Sequence, residues 1–238
     1  ILCTLFGKPV HSLARGDAFK KKWAARMLYL FRIFPVYRVT EGVENLEENY
    51  KTFDQCKDVF RKNGIILIFS EGRCINEWHL RPLRKGTARL AISSWNDGID
   101  LEVLPVAINY SSFKRFGKNM HIFLGEMIRP EQVDYKAVDG IAIRQFNDLL
   151  RQQLAAHVFE IGKTDTRTTH EKFYRHQPLW KKITLAIPAA IGFVVHAPLY
   201  LGIKKLADGM NKEPGHFDSK IVGLLFLTYP LFLLLIGS

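Results

Sequence analysis

The chain has 238 residues, with 34 Lys and Arg against 23 Asp and Glu, a formal charge of +11 and a pI ≈ 9.6. That length allows one domain with a full core plus further segments, and the charge favours an anionic partner: nucleic acid, an anionic membrane or a phosphorylated substrate. Three cysteines (Cys3, Cys56 and Cys74) are too few and too scattered for a disulfide framework, which excludes the small disulfide-rich secreted classes and points to a reducing compartment.

The chain opens at Ile1 inside an apolar stretch, with no charged segment or cleavage site that would mark a signal peptide. The run Leu231–Ile236 also stops within apolar sequence, so both ends are expected to be truncated. Ala18–Phe34 is predicted as a helix, with Phe19, Trp23, Met27, Leu30, Phe31 and Phe34 on one stripe and Lys20, Lys21, Lys22, Arg26 and Arg32 around it. Two readings stay open for it: a core-facing helix with a solvated basic face, or a helix lying on a membrane surface. Pro35–Val39 reads as a short strand with Pro at its first position.

Asn45 and Glu48 have the spacing of a capping box, and Leu46, Tyr50, Phe53, Cys56 and Phe60 mark a helical face that Gly64 ends. Ile65–Phe69 is an unbroken run of β-formers, predicted as a strand buried on both faces. Ser70–Arg73 stands at the carboxyl end of that strand, where ligands bind in open α/β sheets. A basic run, Arg81, Arg84 and Lys85, leads into a helix over Gly86–Trp95. Strands over Leu101–Ile108, with a break at Pro105, and over His121–Leu124 follow, then a long helix through Ile141–Leu154. Alternating helices and strands predict an α/β fold, a mixed sheet flanked by helices, over residues 1–162.

Residues 163–182 are polar and basic and read as a linker. Residues 183–238 carry two apolar helices, Ile183–Ile203 and Ile221–Ile236, the second cut off by the chain end. The first is long enough to span a bilayer, and Trp180, Tyr200, Lys181, Lys182, Lys204 and Lys205 sit near its ends as interfacial anchors. The alternative is a pair of buried core helices. With the membrane reading, the basic domain is expected on the cytoplasmic side.

Several chemistries find no support. His157, His170 and His176 lack metal-site spacing, Ser93-Ser94 lacks a nucleophile elbow, and no Gly-rich loop cradles phosphate. No nucleic-acid-binding motif accompanies the charge.

Five blocks occur in order: Leu13-Ala-Arg-Gly-Asp-Ala-Phe19, Ile33-Phe-Pro-Val-Tyr-Arg38, Phe69-Ser-Glu-Gly72, Leu83-Arg-Lys-Gly-Thr-Ala88 and Val103-Leu-Pro-Val106. Their order and spacing resemble the glycerolipid acyltransferase family, over residues 8 to about 128, whose best-known members are 1-acylglycerol-3-phosphate (lysophosphatidate) acyltransferases. The family's first motif is His-x4-Asp, the second ends in an arginine matched by Arg38, the third is Phe-Pro-Glu-Gly-Thr-Arg and the fourth centres on a proline matched by Pro105. Phe69, Glu71 and Gly72 match the third. Ser70 replaces its proline, Arg73 follows Gly72 directly, and Cys74 stands where the usual arginine would be. Five residues separate His11 and Asp17 where the motif has four, and the two lie after the expected place of the first motif. The resemblance therefore puts the catalytic His-x4-Asp before Ile1 and leaves no catalytic residue in this chain, with His11 an ordinary strand residue.

The resemblance implies acyl transfer from acyl-CoA or an acyl-carrier protein, as co-substrate, to a lysophospholipid or glycerol phosphate, most specifically 1-acylglycerol-3-phosphate. It implies no metal or bound organic cofactor, a membrane location and no nucleic-acid partner. Arg38, Glu71, Gly72 and Arg73 are the implied substrate-binding residues: arginines for a phosphate, a carboxylate to hold an arginine or the glycerol, and a glycine for close backbone approach. The alternative is a membrane-anchored lipid-binding module that keeps the fold without catalysis.

Overall fold

Short β-forming runs alternating with amphipathic helices build a parallel sheet, because each connection is long enough to carry a helix back across it. The computed structural model describes residues 5–37, 44–73, 75–114, 118–174, 176–210 and 217–237, with side chains at 44–48 left aside. Two compact units arise from the chain: Ile1–Arg73, Arg81–Val106 and Leu124–His157 form one, and Cys74–Leu80, Ala107–Phe123 and Val158–Ser238 the other.

In the first unit, β1 (Val10–Arg15), β2 (Ile33–Val36) and β3 (Ile65–Leu67) pair in the order β2-β1-β3, all parallel. The register sets Arg15 opposite Val36 and Ser12 opposite Leu67, so the three carboxyl ends share one edge of the sheet. A 3₁₀ turn, Gly16–Phe19, and helix α1 (Lys22–Leu30) join β1 to β2. The predicted helix over Ala18–Phe34 is thus shorter at both ends. Lys21 is extended, and Arg32 adopts a left-handed φ of 59°, which stops the helix and frees Ile33 and Phe34 to join the sheet. Pro35 is the third residue of β2, not the first, and it is tolerated because β2 is an edge strand.

Helix α2 (Glu44–Arg61) places Asn45 inside its first turn, whereas a capping box would need that residue at the cap. Its buried face is rotated from the predicted one: Thr52, Cys56 and Lys57 are buried and Tyr50 is exposed. Two hydrogen bonds end it, Gly64 N–H to Val59 O at 2.8 Å and Asn63 N–H to Phe60 O at 2.8 Å. The left-handed residue of this stop is Asn63, with φ 53°. Gly64 is needed for another reason: a Cβ there would lie 2.5 Å from Val59 Cγ1 and 2.9 Å from Val59 O. Strand β3 is half-buried instead of buried on both faces, and Phe69 is exposed, because β3 also lies at an edge of this three-stranded sheet.

Helix α3 (Lys85–Asn96) and helix α4 (Asp139–Ala155) enclose the main core: Ala88, Ala91, Ile92, Trp95, Ile128, Val133, Ala142, Phe146 and Leu150. Trp95 stacks at a tilt against Phe146 at 5.9 Å and donates its indole N–H to Leu101 O at 2.8 Å. Lys57, nearly buried, is neutralised by Asp97 at 2.8 Å, just past the end of α3. Pro105 ends the ladder between Val103 and Ile128, and its carbonyl accepts from Gly125 N–H at 2.9 Å.

In the second unit, β4 (Val106–Tyr110) pairs with β5 (Met120–Leu124). His121, Phe123, Phe159 and Phe173 pack edge to face beside them. The polar stretch after Gly162 contains helix α5 (Thr166–Phe173), capped by Asp165, whose carboxylate accepts from Thr168 N–H at 2.9 Å. Helices α6 (Leu179–Gly209) and α7 (Phe217–Gly237) then run as a pair, joined by Ile203, Ala207, Phe217 and Ile221 and by His196 against Tyr229 and Phe232. Both are long and apolar enough to cross a membrane, and almost their whole apolar surface is exposed. Pro188, Pro198 and Pro230 lie inside them, as membrane helices tolerate. The architecture is the expected mixed α/β fold, a small sheet flanked by helices and followed by two apolar helices that are candidate membrane spans.

Phe146→Ala should destabilise the first unit by about 3–5 kcal/mol, as large core truncations do. Tyr50→Ala, at a 73% exposed position, should change stability by less than about 0.5 kcal/mol. Urea unfolding of the detergent-solubilised protein, followed by tryptophan fluorescence, compares the two.

Candidate functional site

The turn after β3 is held by bonds that its own sequence and the basic run supply. Gly72 N–H donates to Phe69 O at 3.0 Å and closes a tight turn. Gly72 has φ +65°, a conformation that penalises any side chain. Three further bonds tie the turn to the start of α3. Arg84 N–H donates to Ser70 O at 2.8 Å, the Ser70 and Thr87 hydroxyls pair at 2.9 Å, and Glu71 Oε1 accepts from Arg81 N–H at 2.9 Å. A Cβ on Gly72 would lie 3.0 Å from Arg84 Cγ, so the arginine stem packs over the bare glycine.

This brings Glu71 and Gly72 together with Arg81, Arg84 and the first turn of α3. Arg84 is the N-cap residue and makes no side-chain cap, so the N–H groups at the start of the helix have no capping side chain. Their partial positive charge adds to that of the arginines and of Lys85. Arg84, Lys85 and Arg73 are exposed, and Thr87 is buried. Chemically, the cluster suits an anion approaching from solvent. The Glu71 carboxylate accepts from a backbone N–H of the basic run. Arg38 lies outside the described residues, as does Cys74.

The segment leading to Arg38 is nonetheless fixed. The Asn49 side-chain amide donates to Tyr37 O and accepts from Tyr37 N–H, both at 2.8 Å. Thr52 donates to Pro35 O at 2.8 Å. Gly16, at the end of β1, is buried under Tyr37, where a Cβ would stand 2.1 Å from the ring. Asn49, Thr52 and Gly16 were not legible as site-forming residues. The only signal was a polar pair three apart on an otherwise apolar helix face.

His11 sits in β1 opposite Ile66 and stacks on Phe34 at 5.4 Å. Burial first, and then the Arg32 charge, lower its pKa, which keeps it neutral at physiological pH. Asp17 is paired with Arg15 at 2.7 Å. Among the described residues His11 and Asp17 do not pair with each other. Among the described residues no three His, Cys, Asp or Glu side chains converge as metal ligands.

Residues 1–109 match the acyltransferase family model, a segment that contains β1 to β3, the turn at Gly72 and the whole basic run. This segment is an acyltransferase-family domain of the glycerolipid kind. No curated protein and no solved structure matches the chain. The family supports a general acyltransferase function and implies an acyl donor and a lipid acceptor.

Gly72→Ala should cost more than Gly98→Ala. Both positions have positive φ, so each substitution carries about 1–2 kcal/mol of backbone penalty. Only at Gly72 does the new methyl also meet a neighbour, Arg84, whereas Gly98 has open space. Thermal unfolding of the two variants measures the difference.

Proposed function

We propose that this domain transfers a fatty acyl group from acyl-CoA or an acyl-carrier protein to a lysophospholipid or glycerol phosphate hydroxyl, in phospholipid biosynthesis. The preferred acceptor is 1-acylglycerol-3-phosphate. In the reaction the acceptor hydroxyl loses its proton and attacks the thioester carbonyl. The new C–O bond forms, the C–S bond breaks, and the thiolate leaves and is protonated. What supports the reading is the turn at Gly72, pinned to an uncapped helix start among Arg73, Arg81, Arg84 and Lys85 at the carboxyl edge of a parallel sheet.

In this reading Arg38 and Arg73 bind the acceptor phosphate, for which guanidinium groups offer paired donors. Glu71 is a positioning residue that holds the basic run in place, and Gly72 lets that run come close. The helices α6 and α7 anchor the chain in the bilayer, with the basic α/β domain on the cytoplasmic side.

The test is an acyl-transfer assay of the complete protein in lipid nanodiscs, with acyl-CoA and lysolipids of different headgroups. Arg38→Ala should raise KM for lysophosphatidate roughly 10- to 150-fold, the equivalent of one lost charge-assisted pair of about 1.5–3 kcal/mol, and leave KM for acyl-CoA unchanged. An unaltered acceptor KM removes Arg38 from the phosphate site. Lysolipid binding without product on any acceptor selects the lipid-binding module instead.

A further inference from the structure

Helix α1 has no buried residue. Around its axis, taken at 100° per residue, three sectors follow one another. Ala24, Ala25 and Leu28 are half-buried and form the side packed on the unit. Trp23, Met27, Leu30 and the following Phe31 fall within an arc of about 100° and point outward, with exposures of 67%, 49%, 78% and 62%. Lys22 and Arg26 border that arc on its other side, and both are exposed.

Two observations identify what covers the outward arc. Residues 20–32 hold five cations, Lys20, Lys21, Lys22, Arg26 and Arg32, and no Asp or Glu. None of the five ion-pairs with a described residue, and the nearest acid, Asp17, is engaged by Arg15. An apolar strip containing an indole and edged by uncompensated cations complements an anionic bilayer surface, with rings and alkyl groups at the acyl boundary and ammonium groups among phosphates. The same chain carries two helices of membrane-spanning length, so a bilayer is at hand.

We propose that the outward face of α1, formed by Trp23, Met27, Leu30 and Phe31 and edged by Lys22 and Arg26, lies in the headgroup layer of an anionic bilayer as an attachment separate from α6 and α7. It rests on the bilayer reading of those helices and goes beyond it. The attachment keeps the α/β domain at the surface from which a lysolipid acceptor is taken.

Nitroxide collision measurements on the full chain test it. Single cysteines replace Leu30 or Met27 in a Cys3→Ser, Cys74→Ser background. Burial pushes the Cys56 thiol up to about 12, so Cys56 stays unlabelled in the folded protein. Arg89→Cys, exposed on α3, reports water, and Phe193→Cys on α6 reports lipid. In nanodiscs containing phosphatidylglycerol, labels at 30 and 27 should resemble 193, with the ratio of oxygen to nickel-chelate accessibility several-fold above that at 89. Changing Lys21, Lys22 and Arg26 to Gln should lower that ratio towards the value at 89. Labels at 30 and 27 as open to the chelate as 89, while 193 is in lipid, overturn the proposal alone. Labels shielded from both reagents overturn it in favour of a protein cover, either another segment or a second copy. A water-exposed 193 overturns the bilayer reading of α6 together with it.

Discussion

The three hydrogen bonds that fasten the turn after β3 to the start of α3 govern the candidate site. Between Arg73 and Arg81 the chain leaves the first unit and then returns. The return point is fixed by the Glu71 carboxylate and the Ser70 carbonyl, not by a strand ladder. Each such bond contributes only about 1 kcal/mol net, with somewhat more where the acceptor is charged. Together they set where Arg81 and Arg84 leave the turn. The Glu71 carboxylate and the Ser70 carbonyl hold the backbone of the basic run at Arg81 and Arg84 against the turn. Glu71 thus acts on this turn by fixing main-chain geometry.

The opposite edge of the sheet uses the same economy of polar groups. Strand β2 contains a proline and pairs on one side only, so its outer backbone groups need partners. From α2, Thr52 supplies one at Pro35 O and Asn49 holds Tyr37 just past the strand, which turns a helix side normally reserved for apolar packing into a backbone clamp. The clamp accounts for the burial of Thr52, and the ion pair with Asp97 for that of Lys57. The strand end that precedes Arg38 is therefore set by an amide side chain twelve residues away.

Much of the architecture was readable because its signals are local and strong. The β-forming runs, the Pro105 break, the helix through Phe146 and the two apolar helices follow from periodicity and composition. The motif order singles out Glu71 and Gly72. What was not readable depends on pairing. Whether Ile65–Leu67 is central or at an edge is decided by neighbouring strands, and the run itself carries no record of them. The shortening of α1 came from Arg32 taking a left-handed conformation that favours glycine or asparagine, a choice made by strand pairing of Ile33. Asn49 acts through contacts that neither periodicity nor motif describes.

The stop of α2 has a chemical consequence. Asn63-Gly64 is the kind of dipeptide in which the glycine nitrogen attacks the asparagine side-chain carbon, forming a succinimide that opens to aspartate or isoaspartate. Here that nitrogen is occupied, since Gly64 N–H donates to Val59 O at 2.8 Å. The Asn63 carbonyl is held as well, by Lys8 at 3.0 Å. The bonds that end the helix thereby slow the ageing of the peptide link immediately before β3. An isoaspartate there would add a methylene to the main chain just ahead of Ile65 and shift the strand that delivers Glu71 and Gly72. The helix terminus and the strand that follows it are coupled in this way through one main-chain hydrogen bond.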